Sequence, residues 1–152
     1  MYILHPWHGV SADFDVDLIN GIVEIPRGRK SKYEIDKQSG LLKLDRVLAA
    51  SFEYPINYGF IPQSLGDDGD PLDILVLSQI DIEPLCLVRS RIIGVMHMSD
   101  RGKMDDKIIS VCISDPAVNE IGSIDSLPHY LKQELRHFFE QYTVLENKQV
   151  VV

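Results

Sequence analysis

The sequence lacks a surplus of positive charge. Its 15 lysine and arginine residues are outnumbered by 23 aspartate and glutamate residues, so the formal net charge is −8 at pH 7. A protein that binds a nucleic-acid backbone needs a basic face to neutralise phosphates. We therefore expect no nucleic-acid partner. A small anionic substrate is still compatible with this charge if divalent cations stand between the anion and the carboxylates.

Long apolar runs are also missing. No segment reaches the ~18 consecutive apolar residues that a transmembrane helix requires, and the N-terminal stretch MYILHPWHGV lacks the basic region and the apolar core of a signal peptide. These absences predict a cytoplasmic protein without a membrane partner. The length of 152 residues, with 45% apolar and 25% charged residues, is typical of one globular domain.

Cysteine is scarce and histidine is scattered. Cys86 and Cys112 are too few and too far apart for a disulfide framework or a C-x-x-C metal site, so both are predicted to be small core residues. The five histidines form no H-E-x-x-H or comparable pair. A zinc or iron centre is therefore not expected.

Aspartate, in contrast, is concentrated in one short stretch. Residues 66–77 read GDDGDPLDILVL, in which four aspartates precede or open an apolar run typical of a buried strand. Two carboxylates ~4 Å apart repel each other by roughly 4 kcal/mol at an effective dielectric constant near 20. These side chains therefore either point apart into water or are held by cations. A calcium-binding EF-hand loop fails in every register: starting at Asp68 puts Asp73 where glycine is required, and placing the glycine at Gly69 puts Leu75 at the last, acidic position.

The backbone around these aspartates favours a shared cation site. In an extended chain Asp68 and Asp70 lie on one face and Asp73 on the other. Pro71 favours a bend at the strand entrance that turns Asp73 back toward the other two. A second acidic segment, SDRGKMDDK, lies between two later strands. Ligands that are all oxygens select hard cations such as Mg²⁺, whereas the alternative is a solvated acidic turn.

Secondary-structure signals outline a barrel. Strands are predicted at residues 21–26, 73–77, 87–98 and 107–113, and a hairpin with a Q-S-G turn at 31–47. From Leu127 to Tyr142 the apolar residues recur at helical spacing, with Pro128 at the start and Ser126 as the expected cap. The absence of βαβ alternation favours an α+β fold, a five-stranded antiparallel closed barrel of OB-like type with peripheral helices.

One motif in this sequence is specific. The stretch DGDPLDI, residues 68–74, satisfies every position of the pattern D-[SGDN]-D-[PE]-[LIVMF]-D-[LIVMGAC], and by it the chain resembles the soluble family I inorganic pyrophosphatases of bacterial type. The likeness continues through VEIPRGRKSKYEIDKQSG, LDRV, YPINYGFIP and HFFEQY. The resemblance implies a single inorganic pyrophosphatase domain over residues 1–152 that hydrolyses pyrophosphate to two orthophosphates. It also implies about three to four Mg²⁺ ions per active site and a homo-oligomer, with a hexamer favoured.

The resemblance also implies roles for particular side chains. Asp70 would orient or deprotonate the attacking water. The implied metal ligands are Glu24, Glu34, Asp68, Asp73, Asp100 and Asp105. The implied substrate contacts are Lys32, Arg46, Tyr58, Lys107 and Tyr142, with Tyr54 placed similarly in the wall. Without the resemblance, Glu34 would be read as a solvent-facing residue of the hairpin, and Lys32, Arg46 and Lys107 as ordinary surface charges.

The charge of this set predicts a need for metal. Seven carboxylates against three cations leave four negative charges uncompensated, which would repel pyrophosphate. Metal cations reverse the sign and explain an absolute metal requirement. A water activated by metal then attacks one phosphorus in line, with Asp70 as proton acceptor and the cations stabilising the phosphates.

The sequence departs from the family pattern at three places. Arg101 stands where bacterial members commonly have an acidic residue, and we expect it to point outward. Thr143 stands where the family usually has a lysine, which predicts weaker substrate binding with turnover less affected. Lys103 and Lys148 are candidates to replace that charge. The chain also ends at VVV, where family members continue into a last helix, so it is either shortened or leaves barrel surface for a neighbouring subunit.

Two other functions stay open on sequence grounds. A small barrel of this kind often binds a nucleic acid or a protein partner, and the three departures are also compatible with a catalytically weakened relative that still binds metal. The acidic balance argues against the binding module. Retention of all seven acidic positions argues against the weakened relative.

Overall fold

The computed structural model describes residues 4–146 and 150–152. The strands in this part of the chain are β1 (Leu18–Ile25), β2 (Ser31–Ile35), β3 (Leu42–Val47), β4 (Asn57–Phe60), β5 (Asp73–Leu77), β6 (Leu87–Met96), β7 (Ser99–Asp100), β8 (Lys103–Met104), β9 (Lys107–Cys112) and β10 (Val150–Val151). The α-helix in this part is α1 (His129–Gln141), and short 3₁₀ turns span Ile124–Ser126 and Val144–Glu146.

A closed barrel forms the centre of the fold. Five strands close in the order β1-β4-β5-β9-β6, so the predicted α+β fold with a five-stranded closed barrel is confirmed. Four pairings are antiparallel, but β5 and β9 run parallel, with Asp73 opposite Lys107. The parallel pair brings the segments that precede β5 and β9 to the same end of the barrel.

Continuous apolar runs explain why β5 and its neighbours are central. Ile74, Leu75 and Val76 are fully buried, as expected for a strand covered on both faces. Strand β4 pairs with β1 so closely that a Cβ atom at Gly59 would lie 1.9 Å from the carbonyl oxygen of Ile22. Glycine at this position is therefore a packing requirement of the barrel.

The helix packs its apolar stripe on the barrel. Leu135, Phe138 and Phe139 of α1 are buried in the same cluster as Leu75 of β5. Pro128 occupies the N-cap position without a side-chain hydrogen bond, so the predicted Ser126 cap is wrong. Ser126 instead ends the preceding 3₁₀ turn. The helix delivers the residue that follows it, Tyr142, to the open end of the barrel.

Two small sheets extend beyond the barrel. Strands β2 and β3 form the predicted hairpin, and β10, β7 and β8 form a second sheet. No helix in the described residues is long and apolar enough to cross a membrane. Of the two cysteines, Cys112 is buried as predicted, but Cys86 is exposed, because it lies in the turn before β6 rather than in the strand itself.

Candidate active site

A polar cavity of about 890 Å³ lies at the end of the barrel where β5 and β9 begin. Its walls come from the barrel, from the hairpin, from the β7–β8 sheet and from the end of α1. All twelve side chains singled out in the sequence line it: Glu24, Lys32, Glu34, Arg46, Tyr58, Asp68, Asp70, Asp73, Asp100, Asp105, Lys107 and Tyr142. Residues up to 118 positions apart in the chain thus share one cavity.

The aspartate stretch is a compact turn and not an extended segment. The amide of Asp70 donates to Asp68 Oδ1 (3.0 Å), and the amide of Gly66 donates to the carbonyl oxygen of Asp70 (2.7 Å). Gly69 has φ +83°, a conformation that glycine adopts readily. The turn therefore directs Asp68 and Asp70 into the cavity, and Asp73, at the start of β5, joins them there.

Lys107 occupies the centre of the carboxylate cluster. Its ammonium contacts Asp73 Oδ2 and lies 3.0 Å from Asp105 Oδ1. The same nitrogen is 5.5 Å from the ring centre of Tyr58, a cation–π distance. Burial opposes the charged form, but the two carboxylates outweigh it and raise the pKa of Lys107 above its ordinary value. This ammonium therefore stays charged at physiological pH.

Two of the carboxyl groups have raised pKa values. Burial, reinforced by the charge of Asp73, raises the pKa of Glu24 to about 8. The amide of Ile35 donates to Glu24 Oε2 at 2.7 Å and opposes this rise. Burial also raises the pKa of Asp105 to about 6, against the lowering effect of Lys107. Without metal, Glu24 is therefore mostly protonated at pH 7, and the site is less negative than the count of formal charges indicates.

The hairpin supplies the two cations Lys32 and Arg46. It also supplies Asp45, a carboxylate that the sequence analysis did not single out. Lys32 Nζ lies 3.6 Å from Glu34 Oε2 and 3.5 Å from Asp45 Oδ2, and Asp45 also contacts the guanidinium of Arg46. Strict alternation would place Asp45 and Arg46 on opposite faces. The pairing skips a residue, with Lys32 opposite Arg46 and Tyr33 opposite Leu44, and this bulge lets both side chains reach the cavity.

Aromatic side chains close the side of the cavity next to α1. Burial raises the pKa values of Tyr58 and Tyr142, so both phenols stay protonated and can donate hydrogen bonds. Tyr54 is almost fully buried and does not line the cavity. It lies behind the two phenols, with ring centres 5.3 Å from Tyr58 and 6.3 Å from Tyr142. Its position is therefore that of a packing residue.

Further charged residues at the cavity were missed because only their position in space identifies them. Lys37, in the hairpin turn, places Nζ 2.7 Å from Asp70 Oδ1. Asp36 and Lys43, from the same hairpin, also line the cavity. Asp106 belongs to the acidic segment noted in the sequence but is not among the lining residues. It contacts the His97 ring instead, at 3.1 Å.

The positions that depart from the family pattern also border the cavity. Arg101 is largely exposed but lines the rim, with Nε 3.4 Å from Asp100 Oδ1, so the expectation that it points outward is met only in part. Thr143 is 3% exposed, and its Oγ1 has no hydrogen-bond partner among the described residues. Lys103 lines the cavity, whereas Lys148 lies outside the described residues.

The donor set fits a hard divalent cation. Within residues 4–146 and 150–152, no three acidic, histidine or cysteine side chains already enclose a point where a metal would sit. Ammonium groups lie beside the carboxylates instead, as with Lys107 against Asp73. Asp100 Oδ1 is buried and accepts no hydrogen bond in this part of the chain, although Arg101 Nε lies 3.4 Å from it. A cavity lined by carboxylate oxygens of this kind suits Mg²⁺ rather than a softer metal.

Comparison with known proteins gives one consistent family. A profile of the inorganic pyrophosphatase family matches residues 21–152. A soluble inorganic pyrophosphatase of Oryza sativa subsp. indica is 51% identical over 149 residues, which cover 97% of this chain and 70% of the rice protein. The crystal structure of the inorganic pyrophosphatase of Thermus thermophilus superposes with a TM-score of 0.92 at 40% identity, over 97% of this chain and 87% of that one. The enzyme of Helicobacter pylori gives 0.88 at 42% identity, over 93% and 85%.

Proposed function

We infer the function of this chain from the family to which it belongs, the inorganic pyrophosphatases. It hydrolyses pyrophosphate to two orthophosphates. The observation that carries this conclusion is the cavity at the end of the barrel, where nine acidic and seven cationic side chains from distant parts of the chain meet. Such a set suits phosphoryl transfer, in which catalysis is almost entirely positioning and electrostatic stabilisation.

We propose that the acidic side chains hold Mg²⁺, with about three to four ions per site. The proposed ligands are Glu24, Glu34, Asp68, Asp73, Asp100 and Asp105, and all of them line the cavity. Bound Mg²⁺ would supply the positive charge that pyrophosphate requires and would make water more acidic.

Asp70 is the proposed proton acceptor. It lies on the turn before β5, half-exposed at the cavity wall, where a water molecule can reach it. Asp70 takes a proton from the attacking water, whose oxygen forms a bond to one phosphorus. The bond from that phosphorus to the bridging oxygen breaks on the opposite side, and the bridging oxygen leaves with the second phosphate. No covalent bond to the protein is formed.

Cationic and phenolic side chains bind the two phosphates in this proposal. Lys107 stays charged because two carboxylates hold it, and Tyr58 and Tyr142 stay protonated because they are buried. Lys32 and Arg46 line the same cavity from the hairpin. These groups donate to phosphate oxygens and stabilise the charge that builds up on the departing phosphate.

The remaining properties are proposals supported by the relatives and by the charge of the chain. Residues 1–152 form one catalytic domain. The protein acts in the cytoplasm, as the name soluble inorganic pyrophosphatase of its relatives suggests. It forms a homo-oligomer, with a hexamer favoured. The net charge of −8 supports a protein that binds neither nucleic acid nor a membrane surface.

Phosphate release by the purified protein tests this function. We expect two orthophosphates for each pyrophosphate when Mg²⁺ is present and none when a chelator replaces it. A simple phosphomonoester is the control substrate, and we expect its hydrolysis to be far slower. Absence of release by folded protein in Mg²⁺ would overturn the hydrolase and favour the catalytically weakened relative.

A further inference from the structure

The N-terminal segment His5–His8 has no part in the mechanism above and precedes the residues that match the family profile. It is nevertheless held firmly against the barrel. The indole of Trp7 is buried in a cluster with Ile22 of β1, Ile35 of β2 and Phe60 of β4. The segment is therefore anchored on strands β1, β2 and β4.

On one side the segment supports the carboxylate loop, residues 63–72, which carries Asp68 and Asp70. The indole N–H of Trp7 donates to the carbonyl oxygen of Ser64 at 2.8 Å. The backbone amide of Gln63 donates to the carbonyl oxygen of Trp7 at 2.7 Å. The side-chain amide of Gln63 donates to the backbone carbonyl oxygen of His8 at 3.0 Å. Three hydrogen bonds thus join the segment to the beginning of the loop.

Ser64 carries these contacts across the neck of the carboxylate loop. Its Oγ accepts a hydrogen bond from the amide of Leu72 at 2.9 Å and donates to the carbonyl oxygen of Ile61 at 2.5 Å. The amide of Ile61 donates to the carbonyl oxygen of Leu72 at 2.8 Å. Both ends of the loop are therefore joined at Ser64, the residue that Trp7 contacts.

On the other side the segment supports the turn of the β2–β3 hairpin. His5 Nε2–H donates to the carbonyl oxygen of Lys37 at 2.8 Å, while His5 Nδ1 accepts from the amide of Trp7 at 3.2 Å. Both ring nitrogens are therefore used. Gly40, with φ +76°, lets the turn approach, since a Cβ atom there would lie 3.0 Å from the His5 ring.

We propose that the segment His5–His8 is a positioning element that fixes the carboxylate loop relative to the hairpin, and that Trp7 is its main positioning residue. This inference rests on the proposed roles of Asp68 in metal binding and of Asp70 in proton transfer. The 2.7 Å pair of Lys37 and Asp70 spans the same two parts of the chain.

The consequence for Mg²⁺ follows from its coordination chemistry. Mg²⁺ demands near-ideal octahedral geometry, so a small displacement of a ligand weakens binding. Loss of the groups that orient metal ligands typically lowers affinity by about 10- to 100-fold. Trp7 acts one step further away, through Ser64, and we expect its indole N–H to contribute about a fivefold effect.

The test is calorimetric titration of Mg²⁺ into the substrate-free protein and into two variants. Trp7→Phe keeps an aromatic ring in the cluster but removes the indole N–H. Val88→Ala is the matched control, because Val88 lies on β6 and is buried in a different core cluster from that of Trp7. We expect Trp7→Phe to bind Mg²⁺ about fivefold more weakly. Val88→Ala should lower the melting temperature and leave Mg²⁺ affinity unchanged.

Each other result has a definite meaning. Wild-type affinity in Trp7→Phe would overturn the positioning role alone, and so would an equal loss in both variants, since lost stability would then explain it. Absence of Mg²⁺ binding by the wild-type protein would overturn the proposed metal site and the positioning role with it. If Trp7→Phe does not fold, Gln63→Ala replaces it, with about a twofold loss of affinity expected and an unchanged affinity contradicting the inference.

Discussion

At the residue scale, burial raises the pKa of the Glu24 carboxyl group. Its pKa is raised to about 8 from an ordinary value of 4.5, so the folded protein holds this proton over a pH range in which the unfolded chain has lost it. The stabilising effect of that proton is fully present below pH 4.5 and is lost as the pH rises through about 8. Glu24 therefore makes the metal-free protein less stable as the pH rises.

We predict that Glu24→Gln removes this pH dependence. Denaturant unfolding in the presence of chelator, at several pH values from 5 to 8, measures the effect. The wild-type free energy of unfolding should fall more steeply with pH than that of the variant, by up to ~1.4 kcal/mol per pH unit. Other titrating groups are common to both proteins and cancel in the comparison. Equal slopes would contradict the pKa assigned to Glu24.

Thr143 stands where the resemblance to the family implies a lysine. It is buried at the cavity wall next to Tyr142, and it offers a hydroxyl where a lysine would offer a cation. We predict that Thr143→Lys lowers KM for pyrophosphate several-fold and changes kcat less, because the added charge attracts bound and reacting substrate alike.

Thr143→Met is the matched control for this prediction, since it adds a long side chain without charge. Steady-state kinetics of the two variants separate the effects of size and charge. A fall in KM that is equally large in Thr143→Met would show that charge is not the cause. An unchanged KM in Thr143→Lys would show that this position does not reach the substrate.

Among the elements, the pairing of β1 with β4 at Gly59 is the tightest contact that a glycine permits. A Cβ atom at Gly59 would overlap the backbone of Ile22, and backbone cannot turn aside as a flexible side chain can. We predict that Gly59→Ala lowers the free energy of unfolding by ~3 kcal/mol, as measured by denaturant titration. Gly122→Ala is the control, because a Cβ atom there would meet no described atom within 4 Å beyond the adjacent residues. Equal stability of the two variants would contradict this close approach of β4 to β1.

Pairing of elements is also where the sequence was least informative. The hairpin and the helix were predictable because their apolar periodicities are local. The parallel pairing of β5 with β9 was not, because periodicity does not state which strands become neighbours. Asp45 was missed for a related reason, since it reaches the cavity beside Arg46 only through a bulge in β3 that the sequence does not reveal.

For the whole molecule, the sequence predicted which residues form the site better than it predicted how those residues contact one another. The motif at residues 68–74 and the family resemblance that it carries pointed to twelve of the side chains that line the cavity, and missed others such as Lys37 and Asp45. It did not indicate that Lys107 lies between Asp73 and Asp105, or that Lys37 pairs with Asp70. The contacts of Lys107 with Asp73 and of Lys37 with Asp70 join residues more than 30 positions apart, and only the folded chain brings them together.

The most direct test of the account compares two neighbouring aspartates in phosphate release from pyrophosphate with saturating Mg²⁺. Asp70 lines the cavity, whereas Asp67 is exposed on the same turn and is not among the lining residues. We predict that Asp70→Asn lowers kcat by about 10²- to 10⁴-fold, the usual loss for a general base. Asp67→Asn should stay within about twofold of wild type, as a surface change does. Equal activity of the two variants would contradict the assignment of Asp70 and the cavity chemistry built on it.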